Sequence, residues 1–291
     1  MHRRTFLQLV GAATLARRAA GDEPARRTFE ITTHLQIRNP TAVARAWLPT
    51  PLAAAPYQRT LGDTYRSDGA SFSMVEREDG DFLAAQWPAG ADPALTLVSR
   101  VETTDYTVNL DAPTVAPPPD LGAFSRYLRS TTLTPIDADS KSRAAALTRG
   151  GGTDFDRARA LFAALVVKTS DALPDRDPGL AFAALARAAG MPARAVFGLR
   201  VSVEDATAAQ ECRAEVYLVG YGWVPVDVHD RRFGSWDMRW IAYNSAHDLK
   251  LPGSAHGTIP ALTRPHGETA GVHFDGTTAD AFVYTISARA I

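Results

Sequence analysis

The sequence has a single cysteine, Cys212, among its 291 residues. One thiol excludes an internal disulfide framework and any cysteine-rich zinc site. Neither sign of charge dominates: 31 Lys and Arg stand against 32 Asp and Glu, a net charge of −1. Nucleic-acid binders normally carry a basic excess, so this balance argues against nucleic acid as a partner. No apolar run reaches the roughly 20 residues that span a bilayer, so no transmembrane segment is expected in the mature chain. No internal repeat stands out at periods of about 20–50 residues. His256, His266 and His273 lie in a Gly- and Pro-rich C-terminal stretch, without the i, i+4 helical spacing of a zinc motif, and no metal or other cofactor is expected. What is present is ordinary globular material. Apolar residues make up 45% and charged residues 22%, enough to bury a core and to exclude disorder as a description of the whole chain.

The first 21 residues read as an address. Arg3 and Arg4 precede a short apolar stretch, Phe6 to Ala16, and small residues follow at Ala19 to Gly21. A basic start, a modest apolar segment and a small-residue site form an export signal. The pair Arg3-Arg4 followed by Thr5, Phe6 and Leu7 resembles the twin-arginine type, which a receptor reads. Arg17 and Arg18 sit awkwardly between the apolar segment and the processing site. Export would place the mature chain in the periplasm or outside the cell, where a spare thiol invites mispairing and a lone cysteine is suited.

Residues 28–115 read as strands. Thr28 to Ile37 alternates with period two, and Ser71 to Arg77, Asp81 to Trp87 and Ala94 to Val101 repeat the theme between Gly, Asp and Pro turns. Short strands with regular turn punctuation predict an antiparallel β-sandwich. Ala116-Pro-Pro-Pro-Asp120 reads as a stiff extended linker, placing a boundary at 116–122 and a second domain at 123–291. There the period changes. Phe155, Ala158, Leu161, Phe162, Leu165 and Val166 share one helical face over 154–169. A second helix is expected from Pro178, near its first turn, to Ala189, with Gly190 as the stop. Strands follow at 193–202, 212–218 and 222–228. Helices followed by antiparallel strands make the predicted class α+β.

Three segments carry a family resemblance: Phe182 to Arg194 (FAALARAAGMPAR), Cys212 to Leu218 (CRAEVYL) and Gly220 to Asp227 (GYGWVPVD). In this order they closely resemble the core of bacterial transglutaminase-like proteins, relatives of the papain-like cysteine hydrolases. Ala44 to Pro51, Trp236 to Asp248 and Glu268 to Gly271 resemble flanking segments of the same family, so the likeness covers most of the mature chain. The resemblance implies a β-rich N-terminal domain and a papain-like α+β domain. It also implies a Cys-His-Asp site, in which a thiolate at a helix N-terminus is served by a histidine that an aspartate orients.

Carried over by position, that triad fails. The cysteine position falls at Asp175, the histidine position at Glu211, and only the aspartate is matched, by Asp227. The segments before Asp175 and between Arg200 and Glu211, which build the cleft in the family, are short here. Cys212 is no substitute. Side chains alternate along a strand, so if position 211 faces the cleft, Arg213 and Glu215 do too, and Cys212 faces away. Arg213 and Glu215 are expected to form an ion pair there. Trp223 and His229 are further cleft-lining candidates, although Trp223 reads equally as core and His229 as an exposed loop residue. His247 reads as a structural hydrogen-bonding histidine. The resemblance therefore implies a pseudoenzyme, with a remodelled cleft for a peptide, protein or glycan. The alternative is an amide or peptide hydrolase or acyl transferase using the acids Asp175, Glu211 and Asp227, with metal assistance. A third reading makes the N-terminal sandwich the working surface of an interaction module.

Overall fold

A computed structural model describes residues 25–113, 121–168, 177–201 and 209–291. The expected export segment, the proline run at 116–120 and Asp175 lie outside the described residues. Two five-stranded antiparallel sheets come first. One runs, edge to edge, Phe282–Ala290, Arg26–Ile37, Ala94–Thr104, Gln58–Arg66 and Ala54–Ala55. The other runs Val272–Phe274, His266–Thr269, Ala44–Pro49, Phe82–Trp87 and Ser71–Val75. The alternation read from the sequence is what buries them. Phe29, Ile31, Leu35 and Ile37 point inward from one strand, and Leu95, Leu97 and Val101 from its neighbour. Part of this row meets Ala44, Ala46, Leu48, Leu83, Ala85 and Trp87 of the facing sheet.

The sandwich is not confined to the N-terminal half. Residues 266–290, expected inside the second domain, return to complete both sheets. His266–Thr269 pairs with Ala44–Pro49, and Phe282–Ala290 pairs with Arg26–Ile37 from Phe29↔Ala290 to Ile37↔Phe282. Gly267 permits this closure, because a Cβ there would lie 2.6 Å from the Phe282 ring.

The second domain packs four helices, α1 (Leu121–Phe124), α2 (Ala138–Leu147), α3 (Asp154–Lys168) and α4 (Pro178–Ala188), with a third antiparallel sheet. Its order is Arg232–Phe233, Gly222–Asp227, Ala209–Leu218, Ala193–Arg200 and Trp240–Asn244. Each longer helix starts at a sequence-encoded cap. Asp137 and Ser140 exchange hydrogen bonds at α2, Thr153 and Asp156 do so at α3, and Asp177 caps α4 just before Pro178. The apolar face of α4 is buried against α2, α3 and the strands Ala193–Arg200 and Ala209–Leu218, with Phe182, Leu185 and Ala186 in a core shared with Ala214, Val216 and Val226.

Gln58 joins the halves. Its buried amide donates to Leu52 O and Ala242 O at 2.8 Å each and accepts from Ala242 N at 2.8 Å. Tyr57, Trp236 and Trp240 pack around it and meet Val196 of the third sheet. Among the described residues, no helix is long and apolar enough to cross a membrane.

Two outcomes follow from this packing. Phe282 is fully buried where the returning strand closes the sandwich, so Phe282→Ala should cost about 3–5 kcal/mol in urea unfolding; a loss under ~1 kcal/mol would contradict the closure. Stability should also fall in mild acid. Burial, seconded by the neighbouring His273, pulls the pKa of His266 down to about 4, and burial does the same to His247, to about 4. Unfolded histidines titrate near about 6.5, so between there and pH 4 the unfolded chain holds more protons and stability drops as pH falls. The unfolding free energy should decrease from pH 7 towards pH 5 with a slope approaching two protons. A flat profile in that window would exclude buried neutral histidines.

Candidate functional site

The site is organised by the start of α4 and the two strands in front of it. Asp177 accepts from Gly179 N at 2.8 Å, from Leu180 N at 3.4 Å and from Cys212 N at 3.3 Å. One carboxylate thus caps the helix and ties it to the strand. Gly179 is held so close that a Cβ would sit 2.4 Å from Cys212 O. Burial raises the pKa of Asp177, and the three backbone N–H groups pull it back only in part.

Cys212 lies on the helix side of its strand, packed at the edge of the α4 core, with Sγ donating to Arg213 O at 3.3 Å. Burial and the nearby Asp177 carboxylate push its thiol far above the ordinary value. A reactive thiolate needs the reverse, an electropositive and accessible setting.

The opposite face carries a lattice of charges. Arg213 stands across from Asp227, one step beyond the pair Ala214↔Val226. Its Nε is 2.9 Å from Asp227 Oδ2, both side chains being only 2% exposed. The N–H is not aligned for a hydrogen bond, so the contact is ionic. The other oxygen, Oδ1, accepts from Asp230 N at 2.9 Å. Arg213 also reaches Asp230 at 3.5 Å, and its guanidinium lies 4.6 Å from the Trp240 ring centre. Arg200 pairs with Glu211 at 3.2 Å and, more tightly, with Asp230. Burial works against the charge of Arg200, but Glu211 and Asp230 outweigh it and raise its pKa. For Arg213 burial wins and the pKa is lowered, yet a guanidinium keeps its proton in a protein. Beside this lattice, Glu215 pairs with Arg194, whose guanidinium lies 4.3 Å from the Trp223 ring centre.

The structure therefore unites most of the sequence candidates but in other partnerships. Arg213 and Glu215 share a face, as expected, yet each has a different partner, Asp227 and Arg194. Glu211 is committed to Arg200. Trp223 is half-buried among Phe124, Tyr127 and Tyr217, with ring centres 4.8–5.7 Å away. His229 is exposed in the turn after the strand, whereas Asp227 is buried. Four contributors escaped the sequence reading: Asp177, Arg194, Arg200 and Asp230. Asp177 stood directly before a proline at a helix start, which is a capping signal. Arg200 and Asp230 become neighbours only through strand pairing and carry no local signal. Chemically, both oxygens of Asp227 are engaged within the protein, and Glu211 answers a guanidinium. The cluster holds charge in place and offers no imidazole and no thiolate. Among the described residues, no group of three or more His, Cys, Asp or Glu could hold a metal ion.

Residues 179–228 match the model of the transglutaminase-like superfamily. An uncharacterized protein of Haemophilus influenzae is 32% identical over 138 residues, which cover 33% of this chain and 37% of that protein. The chain thus matches little more than a third of that relative's length. The crystal structure of a candidate cysteine protease from Cytophaga hutchinsonii superposes with a TM-score of 0.57 over 91% of this chain and 98% of that one, at 12% identity, which is a likeness of fold. A candidate protease from Parabacteroides distasonis is more distant, with a TM-score of 0.27 at 12% identity over 66% of this chain and 42% of that one. Residues 179–228 are thus similar to the transglutaminase-like superfamily, and the α+β fold is like that of the candidate cysteine protease from Cytophaga hutchinsonii.

The buried ion pair makes a measurable demand. Arg213→Met and Asp227→Leu should each destabilise by about 3–5 kcal/mol, because each strands a buried partner, while the double replacement Arg213→Met/Asp227→Leu should recover much of that loss. A double-mutant cycle in urea would read the coupling. Simple additivity of the two single losses would show that the pair is not coupled.

Proposed function

We propose that this transglutaminase-like protein has lost thiol chemistry and works as a binding module, with a peptide or protein as its partner and a glycan as the other candidate. One observation carries the reading: the aspartate that would orient a catalytic histidine is buried against Arg213, while the position of that histidine holds Glu211, paired with Arg200. The position of Cys212 supports it. The sole thiol points toward the helix core, on the face opposite the charged lattice. The twin-arginine-like start of the sequence supports export to the periplasm or beyond.

A carboxylate-based hydrolase or transferase is the second reading, resting on Asp175, Glu211 and Asp227. General acid–base work needs a group able to exchange a proton near the operating pH and within reach of substrate. Two of these acids, Glu211 and Asp227, pair with arginines, which favours a structural role.

The discriminating experiment is turnover of glutaminyl-peptide and peptide-amide substrates by the full chain, with and without iodoacetamide, beside Cys212→Ala. The expected result is no thiol-dependent turnover, and labelling of Cys212 by a disulfide reagent only after denaturation. Turnover that alkylation or Cys212→Ala abolishes would remove the proposal. Turnover lost in Asp227→Asn or on adding EDTA, but untouched by alkylation, would establish the carboxylate reading instead.

A further inference from the structure

A small cavity of about 30 Å³ lies between the two halves, lined by Asp79, Arg126, Tyr127, Arg129, Thr131, Arg187, Ser245 and His247. It is separate from the Asp227 lattice. One chain of hydrogen bonds runs up to it. Arg187 Nη1 donates to Thr134 Oγ1 at 2.7 Å, and a guanidinium can only donate. Thr134 Oγ1 and Thr131 Oγ1 share a hydrogen bond of 2.6 Å, Thr131 Oγ1 accepts from Thr134 N at 3.1 Å, and Thr131 Oγ1 is bonded to His247 Nδ1 at 3.2 Å. The ring's Nδ1 is thereby partnered, and as imidazolium His247 donates from Nε2 as well.

This Nε2 is buried and has no hydrogen-bond partner, in a residue only 8% exposed. Arg126 Nε is a buried donor without an acceptor, although its terminal nitrogens pair with Glu78. Arg129 is exposed at the cavity. Acceptors are scarce by comparison. Asp79 contributes the lining's one carboxylate, and Arg77 already holds it at 3.0 Å. Native proteins seldom leave buried polar atoms unsatisfied, and here two residues that each carry one line a cavity rich in guanidinium groups. The field is positive enough to act on its own members: after burial, Arg187 and then Arg129 disfavour a charge on His247, against Asp248 and Asp79.

We propose that this cavity binds one carboxylate group, recognised by His247, Arg126 and Arg129. Size limits the ligand. A water needs about 10–15 Å³ measured in this way, so the space admits the two oxygens of a carboxylate and leaves the rest of the ligand outside. Both a peptide C-terminus and an acidic side chain present that group.

The test uses the full chain and the histidine ring resonances in long-range ¹H–¹⁵N spectra, at ionic strength held constant with sodium chloride. The probes are sodium acetate, acetyl-glycyl-glycine, acetyl-glutamate α-amide and acetyl-glycyl-glycinamide. The expected result is a saturable shift of the His247 ring with acetate and with one or both carboxylate peptides. The stronger of the two identifies the source as a chain terminus or a side chain. The amide, which lacks a carboxylate, should give no shift. Saturation should also raise the pKa of His247, since a bound anion favours imidazolium. Arg129→Gln, an exposed change that should leave the melting temperature unaltered, should weaken acetate binding about fivefold. Absence of a saturable shift, an equal response to chloride or to the amide, or unchanged affinity in Arg129→Gln would each overturn the proposal and leave the cavity as a water site.

Discussion

The buried ion pair between Arg213 and Asp227 is the constraint around which this domain is arranged. Two charges that are 2% exposed cannot be tolerated singly, because the desolvation of an unpaired ion costs several kcal/mol. Each neighbour is placed to answer that demand. The Trp240 ring lies beside the guanidinium, Asp230 N satisfies the second oxygen of Asp227, and Asp230 itself draws in Arg200. The lattice extends to Glu211 because Arg200 needs a further counter-charge. Five side chains, two arginines and three acids, thus form one electrostatic unit spread over three strands and the turn that follows the last of them.

That unit requires a cover, and the other half of the molecule supplies part of it through Tyr57. Tyr57, Trp236 and Trp240 occupy the face of the third sheet that carries Val196 and Arg213. They are held there by Gln58, whose amide is hydrogen-bonded to the strand Trp240–Asn244. The sandwich that supplies Tyr57 and Gln58 is completed by strands 266–290 from the far end of the chain. The second domain is thus inserted into the sandwich, and damage to the terminal strands would reach the charged lattice through the joint.

Much of this was legible before any coordinates. The period-two rows of Thr28 to Ile37 and Ala94 to Val101, the helices beginning at Asp154 and Pro178, and the turn at Val219-Gly220-Tyr221 all encode their structure within a few residues. The opposition of Cys212 to Arg213 and Glu215 follows from the pleat alone. Illegible parts share one property: they depend on which strand finds which. Phe282–Ala290 has the alternation of any half-buried strand, so nothing local says that it pairs with Arg26–Ile37. Arg194, rather than Arg213, partners Glu215 because Ala193–Arg200 lies beside Ala209–Leu218 in a register that puts Arg194 opposite Glu215. Likewise Asp177 is visible as a cap, but its bond to Cys212 N needs the helix to be docked.

The same lattice bears on the proposed loss of thiol chemistry. In a Cys-His-Asp arrangement the buried aspartate is balanced by an imidazole that it orients. In the proposed reading Glu211 holds that position, so no imidazole balances Asp227; here Arg213 pairs with Asp227 and Arg200 with Glu211. The two arginines occupy both carboxylates, so an imidazole introduced at position 211 alone would find its orienting group taken and would leave Arg200 with one fewer counter-charge. On that proposal, a thiol and a histidine could not supply the chemistry unless the arginine pairing were dismantled with them, and the stability of the lattice opposes the orienting function.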